Sequence, residues 1–327
     1  MLSLRHFLVL ALALATLACT AAPGGPAGSA APPVDLKFGI GFGSISPSFT
    51  PVYLAEEQGL FKANNVNMEL VHLGGATFIQ AATSGEVKVG SVSTAAAVGG
   101  IAKDAPLKIV AVTIMPPNWV LFARKGSNIG GPQDLKGKKV IITGYGGSTH
   151  QMAAIVADRN AWDLQKDLTL LPVSSTEAQI ASLQRAEADA SIMSRERALD
   201  FESRGLGNIA FEFASMTPVW ADYVMVAHTD LIKNNPDAVR RTLRAYFQGA
   251  QLVRDRKDLV IKRLVEVHKF KPEVAEEVYK ELQYTKDGSF DVKAMEVVVD
   301  NLVKVGALDK KPNMESLYTT QFLPVKF

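Results

Sequence analysis

Past the first three dozen residues, short apolar runs alternate with stretches whose apolar positions recur three and four apart, almost to the end of the chain. Runs bounded by Gly, Pro or Ser read as strands and the longer periodic stretches as amphipathic helices, and their alternation marks an α/β fold. The first strand is expected over 36–41 and the second over 68–71, with a helix between them from Thr50-Pro51 to Gly59. Proline at the first helical position and glycine just past the last are the usual helix punctuation. A helix from Thr77, closed by Gln80 in a capping box, leads to strands at 87–91 and 107–113, with a helix from Thr94 between them. An apolar strand at 120–124 runs into a Gly/Pro-rich turn. The same series then begins again, with strand 139–143, helix 148–160, strand 168–173, helix 176–187 and strand 188–193.

The third section is mostly helical. Asn235-Pro236 opens a helix carrying Val239, Leu243, Phe247, Ala250 and Val253 on one face, and further helices are expected near 260–268, 272–282 and 294–305. This section has too few strands to be a domain, so it is expected to pack back on the first lobe through a returning strand at 223–227. The expected organisation is two α/β lobes, lobe I from 36–123 plus 223–327 and lobe II from 124–222. The crossings near Phe122 to Arg124 and Tyr223 to Met225 are the expected hinges.

The N-terminus stands outside this pattern. Arg5 and His6 precede an apolar run from Phe7 to Ala18. That run suits a secretory signal over 1–18 and falls short of the roughly 18 to 20 residues a membrane span needs. It ends in Thr16-Leu17-Ala18-Cys19, which resembles a bacterial lipobox, although Leu is commoner than Thr three residues before the cysteine. That makes Cys19 the expected lipidation site, the alternative being a non-lipidated signal cut at an Ala-x-Ala-like site with Cys19 incidental; as the only cysteine it leaves no internal disulfide possible. Residues 19–35 then read as a flexible Ala/Gly/Pro tether to the membrane. The net charge is +2 with interspersed signs, which gives no electrostatic footprint for nucleic acid.

Ligands of open α/β sheets lie beyond the carboxyl ends of the strands, where first-turn N–H groups of the helices point outward. The strand-to-helix joints are therefore the candidate sites. The glycine-rich joint at 144–149 offers Gly147, Ser148 and Thr149, although Ser148 with Gln151 also reads as a simple capping box. The joint at 90–94 offers Ser93 and Thr94, the one at 43–48 offers Ser44 and Ser46, and Ser194 closes a strand of the second lobe. Trp119 and Trp220 lie near the crossings, where they would wall the cleft or simply pack.

No Asp, Glu, Arg or Lys lies in these loops; Arg195 and Arg197 follow Ser194 and read first as surface helix charge, the alternative being that one turns inward and favours an anion. Backbone N–H groups and hydroxyls suit a sulfonate, a carboxylate or a neutral heterocycle about equally. The sequence lacks a P-loop, a G-x-S-x-G elbow, a dinucleotide-binding fingerprint and paired metal ligands, which points to binding rather than catalysis, with no cofactor and no metal.

Three segments carry a family resemblance. Pro51-Val52-Tyr53-Leu54-Ala55-Glu56-Glu57-Gln58-Gly59-Leu60-Phe61 resembles the P-x-Y-x-A-x-E-x-G-x-F segment of solute-binding proteins of the nitrate/sulfonate/taurine ABC-transporter family, which includes binders of thiamine-pyrimidine precursors. Ser84-Gly85-Glu86-Val87-Lys88-Val89-Gly90 and Asp134-Leu135-Lys136-Gly137-Lys138-Lys139-Val140 agree as well. Lys88 departs from the family's usual acid, whereas Asp189 keeps it at the matching place in the second lobe. The resemblance implies a periplasmic-binding-protein fold of two lobes on a two-stranded hinge, with the ligand in the cleft. It also implies an extracytoplasmic, lipid-anchored monomer that serves a membrane permease. A ligand-sensing receptor is the alternative. An enzyme like the eukaryotic thiamine-pyrimidine synthases is disfavoured, because their iron site is cysteine-rich.

Overall fold

Apolar strands need neighbours on both sides, and this chain supplies them in two five-stranded mixed sheets. The computed structural model describes residues 32–217 and 219–327, so the expected signal, Cys19 and most of the tether lie outside the described residues. The first series runs β1 (Val34–Ile40), α1 (Thr50–Glu57), α2 (Leu60–Ala63), β2 (Val66–His72), α3 (Gly75–Thr83), β3 (Val89–Ser93), α4 (Thr94–Ile101) and β4 (Leu107–Ile114). The second runs β5 (Trp119–Arg124), β6 (Lys139–Ile142), α5 (Ser148–Arg159), β7 (Thr169–Pro172), α6 (Thr176–Gln184), β8 (Ala190–Ser194), α7 (Arg195–Ser203) and β9 (Gly207–Glu212). The chain then returns through β10 (Tyr223–His228) and α8 (Thr229–Asn234). It ends with α9 (Pro236–Asp255), α10 (Lys257–Glu266), α11 (Pro272–Glu281), α12 (Val292–Lys304) and α13 (Met314–Leu317).

The first sheet has the order β2-β1-β3-β10-β4 and the second β7-β6-β8-β5-β9. Each has three parallel strands, then one antiparallel strand, then an edge strand. The antiparallel strand is in both cases the one that follows a crossing. β5 enters the second sheet directly after β4, and β10 enters the first directly after β9. The repeat seen in the sequence is thus a repeat of sheet topology, with the two antiparallel strands exchanging the chain between the sheets.

Three expectations shift. Residues 122–124 sit inside β5 and residues 223–225 inside β10, each paired on both sides, so the crossings lie at 115–118 and 213–222 and not at Phe122 to Arg124 and Tyr223 to Met225. The cause is burial: all of β5 except Arg124 is buried, and the strand needs partners along its whole length. The helix expected from Thr77 begins at Gly75 with Gly74 as its cap, so Thr77 is internal and forms no capping box. The helical C-terminal section also packs on both halves. α9 lies along α1, whereas α11 packs on α7 and α12 on α4 and α5. Polar links follow the same faces: Lys271 Nζ donates to the Ser203 carbonyl at 3.1 Å, and Lys304 pairs with Asp158 at 2.7 Å.

Local rules account for α9. Asn235 accepts from the Ala238 N–H at 3.1 Å, Pro236 occupies the first turn, and Val239, Leu243, Phe247 and Ala250 are buried on one face. Where α9 crosses α1, a Cβ on Gly249 would lie 2.1 Å from the Pro51 carbonyl oxygen. In an exposed helix Gly→Ala gains about 1 kcal/mol, but here the methyl has no room. Gly249→Ala is therefore expected to destabilise the protein by about 1–3 kcal/mol, the usual range for overpacking. Urea unfolding checks this, and a stabilised variant would contradict the close crossing.

Candidate functional site

The strand-to-helix joints of both sheets converge on one cavity. The first sheet contributes Phe42 and Gly43 after β1, Gly74 and Gly75 after β2, and Ser93 after β3. The second contributes Thr143 to Tyr145, Gly147 and Ser148 after β6, and Ser174 after β7. The walls are close: a Cβ on Gly43 would lie 3.4 Å from Ser174 Oγ. The centre of a water-sized sphere sweeps only about 40 Å³ of the cavity, which is room for a few waters or one small compact ligand.

The inner end is aromatic. Trp119 and Tyr223 are the first residues of β5 and β10, and both line the cavity. In register Trp119 stands opposite Ser194 and Tyr223 opposite Ser93, so the two aromatics hold equivalent places in the two sheets. Their ring centroids are 6.5 Å apart.

Directly behind them lies Asp222, the last residue before β10 and only 1% exposed. Its Oδ1 accepts from Ser148 Oγ at 2.7 Å and from Trp119 Nε1 at 2.9 Å. Its carbonyl accepts from the Thr94 N–H at 2.8 Å and from Thr94 Oγ1 at 3.2 Å, and its N–H donates to the Ile114 carbonyl at 3.0 Å. One residue thus ties the first turns of α4 and α5 to β4 and β5. Burial pushes its carboxyl up to about 6, against the pull of the Ser148 and Trp119 hydrogen bonds, with Glu196 adding a further push. The Tyr223 phenol is held well above its ordinary range by burial and by the carboxylates of Asp222 and Glu196, so it stays protonated.

A second buried carboxylate spans the cleft. Glu196, in the first turn of α7, accepts from the Ser48 hydroxyl of the first half and from Asn118 Nδ2 at 2.7 Å. Its neighbour Arg197 is also buried, at 5% exposure, and not on the surface as expected. The guanidinium lies 5.1 Å from the centre of the Phe42 ring and donates weakly to Gln179 at 3.4 Å. Arg195 is partly exposed and pairs with Glu281 at 3.1 Å.

Of the residues singled out from sequence, Ser93, Gly147, Ser148 and Trp119 line the cavity. The other six do not. Thr94 is buried beneath it on Asp222, and Thr149 Oγ1 accepts from the Thr143 N–H at 2.9 Å, holding the glycine-rich loop from behind. Ser46 caps the turn at Ser48, and Ser44 lines a separate groove beside Ile45 and Lys269. Ser194 starts α7 without a side-chain cap bond, and Trp220 is buried outside the cavity wall. The Ser148–Gln151 capping box does not form: Ser148 turns to Asp222, and Gln151 accepts from Asn301 Nδ2 at 3.1 Å. Among the described residues no cluster of His, Cys, Asp and Glu has the shape of a metal site, and no helix is long and apolar enough to cross a membrane.

A pH dependence follows from Asp222. Its folded value is raised above the ordinary 3.8, so between about pH 4 and 6 the folded state holds a proton that the unfolded state has released. Stability therefore falls as pH rises through that window and is level above it. A shift of this size is worth on the order of 2–3 kcal/mol. Asp222→Asn should lack the fall, and subtracting its urea-unfolding profile from the wild-type one isolates it. Parallel profiles would show that Asp222 keeps its ordinary pKa.

A family model described as NMT1/THI5 like matches residues 46–258. No curated protein is significantly similar in sequence. Among solved structures, the alkanesulfonate-binding protein SsuA from Xanthomonas axonopodis pv. citri, bound to MOPS, superimposes with a TM-score of 0.75 at 17% identity, covering 88% of this chain and 99% of that one. The periplasmic aliphatic sulphonate-binding protein SsuA from Escherichia coli gives 0.72 at 17% identity, covering 90% and 95%. The periplasmic nitrate-binding protein NrtA from Synechocystis PCC 6803 gives 0.71 at 13% identity, covering 89% and 87%. At these identities the likeness establishes the fold: two mixed α/β sheets flanked by helices, as in periplasmic binding proteins.

Proposed function

The chain belongs to the NMT1/THI5-like family, and from that premise we propose that it is the solute-binding subunit of an ABC importer, which captures a small polar molecule between its two lobes and carries it to a membrane permease. The observation that carries this reading is the single cavity built from matching joints of both sheets, floored by the first residues of the two crossing strands. A ligand there touches both halves at once only when they are together. Binding then shifts the population toward the closed arrangement, and the permease has a shape to recognise.

The wall chemistry supports capture without reaction. It consists of glycines, hydroxyls and aromatic rings, and no histidine, cysteine, lysine or arginine lines it. Ser148 meets a carboxylate and no histidine, so the serine–histidine pairing of the hydrolase triads is not formed there. The periplasmic setting of the structural relatives and the signal-like N-terminus support a location outside the cytoplasm. There it would be a monomer held to the membrane through lipidated Cys19. The family resemblance allows a sulfonate, taurine, nitrate or a pyrimidine precursor as cargo.

The test is a thermal-shift screen of residues 32–327 against sulfonates, carboxylates, nitrate and pyrimidines. A ligand at 100 times its Kd raises stability by about 2.7 kcal/mol. The Gly144→Trp variant should fold normally, because a Cβ on Gly144 meets nothing within 4 Å, and should lose the shift because the indole fills the cleft. A hit that survives Gly144→Trp would place binding elsewhere and contradict the reading.

A further inference from the structure

A buried cation without an ion-pair partner packs on the Phe42 ring. Arg197 is 5% exposed, and among the described residues no carboxylate pairs with it. Its one hydrogen bond is the weak one to Gln179 at 3.4 Å, which leaves most of its five N–H donors unused. The nearby carboxylates are engaged elsewhere, Glu196 by Ser48 and Asn118, and Asp200 by Arg204 at 2.8 Å. Burial works against the Arg197 charge, and the carboxylates of Glu196, Glu177 and Asp200 support it only through space. An unpaired buried charge is costly, and an anion brought to it lowers that cost.

Arg197 lines a groove of about 440 Å³ that is separate from the cleft: Phe42 belongs to the cleft wall and not to the groove, and Arg197 to the groove and not to the cleft. The loop after β1, helices α6 and α7, and the joint between α10 and α11 all contribute to it. Its cations are Arg197, Arg204 and Lys269, against the two carboxylates of Glu177 and Asp200. Two further polar atoms of its lining residues, Ser44 Oγ and His268 Nε2, are buried with no hydrogen-bond partner in the protein. Beside these lie Ile45, Ile180 and Val267, and Ile45 and Val267 are among the few large apolar side chains left exposed. A recess of this size, apolar over part of its wall and with a few convergent polar groups, has the make-up of a small-molecule site.

We propose that this groove is a second binding site, outside the cleft, for an organic carboxylate with a compact apolar body. The carboxylate pairs with the Arg197 guanidinium, whose planar fork suits its two oxygens, and the body lies on Ile45, Ile180 and Val267. Ser44 belongs to the first half and Arg197 to the second, so the occupant is held by the assembled pair and not by either half alone. The site does not depend on the capture reading, because no residue of the groove lines the cleft.

The test separates head, body and charge. Benzoate carries both parts, acetate the head alone, benzyl alcohol the body alone, and benzamidinium nearly the same shape with the charge reversed. In NMR titrations benzoate should bind about tenfold more tightly than any of the other three, with contacts from its ring protons to the Ile45 and Val267 methyl groups. Binding should persist in Gly144→Trp, which fills the cleft and leaves the groove open. Arg197→Gln should weaken it about tenfold, and so should Ile45→Glu. The second variant changes an exposed side chain, so it decides the matter even where the loss of buried Arg197 prevents folding. Any of the other three probes binding as tightly as benzoate overturns the proposal, as does benzoate binding that is unchanged in Ile45→Glu. Benzoate binding that disappears in Gly144→Trp belongs to the cleft, which overturns the second site and leaves the capture reading standing. Absence of benzoate binding at millimolar concentration also overturns it.

Discussion

A buried carboxylate at the point where two sheets meet is the constraint on which this structure turns. Taking Asp222 out of water costs several kcal/mol unless its charge is met by hydrogen bonds. The fold meets it with the Ser148 hydroxyl and the Trp119 indole, both from the second half, while its backbone pairs with Ile114 and Thr94 of the first. The same residue therefore fixes the two crossings and the first turns of α4 and α5. Its raised pKa is the residual cost of that placement.

The cleft is a consequence of sheet topology. Each sheet sets three parallel strands beside one antiparallel strand that has just arrived from the other. The parallel strands present their carboxyl ends, with glycines and hydroxyls at the joints, to the side where the crossings are made. Ser93 against Tyr223 and Ser194 against Trp119 are the same contact made twice. Around this repeat the helical C-terminal section is the asymmetric part. α11 on α7 and α12 on α5 brace the second half against a section whose longest helix lies on the first.

Much of this was legible in the sequence. Strands such as β3, β4 and β8 are almost wholly buried and read as plain apolar runs, and Asn235-Pro236 announces α9. Ser93 and Gly147-Ser148 were found because a strand, a small residue and a helix follow one another directly. β9 escaped because Gly207, Asn208 and Glu212 break its apolar run, as befits an edge strand. Ser174, which lies between β7 and the Ser175 cap of α6, follows the same rule as Ser93 and was within reach of it. Asp222 was not. Its partners lie 74 and 103 residues away, and only the folded crossings bring them together. For the same reason Arg197 read as surface charge: nothing local says that Phe42 will cover it.

The central claim is that the two halves close on a small ligand. Spin labels at Thr77→Cys and Glu177→Cys, in the first turns of α3 and α6 and both exposed, report the cleft width by double electron–electron resonance. The account predicts a broad or two-peaked distance distribution without ligand that collapses to its short component when a bound ligand is present. A single distribution, unchanged by a ligand that demonstrably binds, would contradict capture by closure.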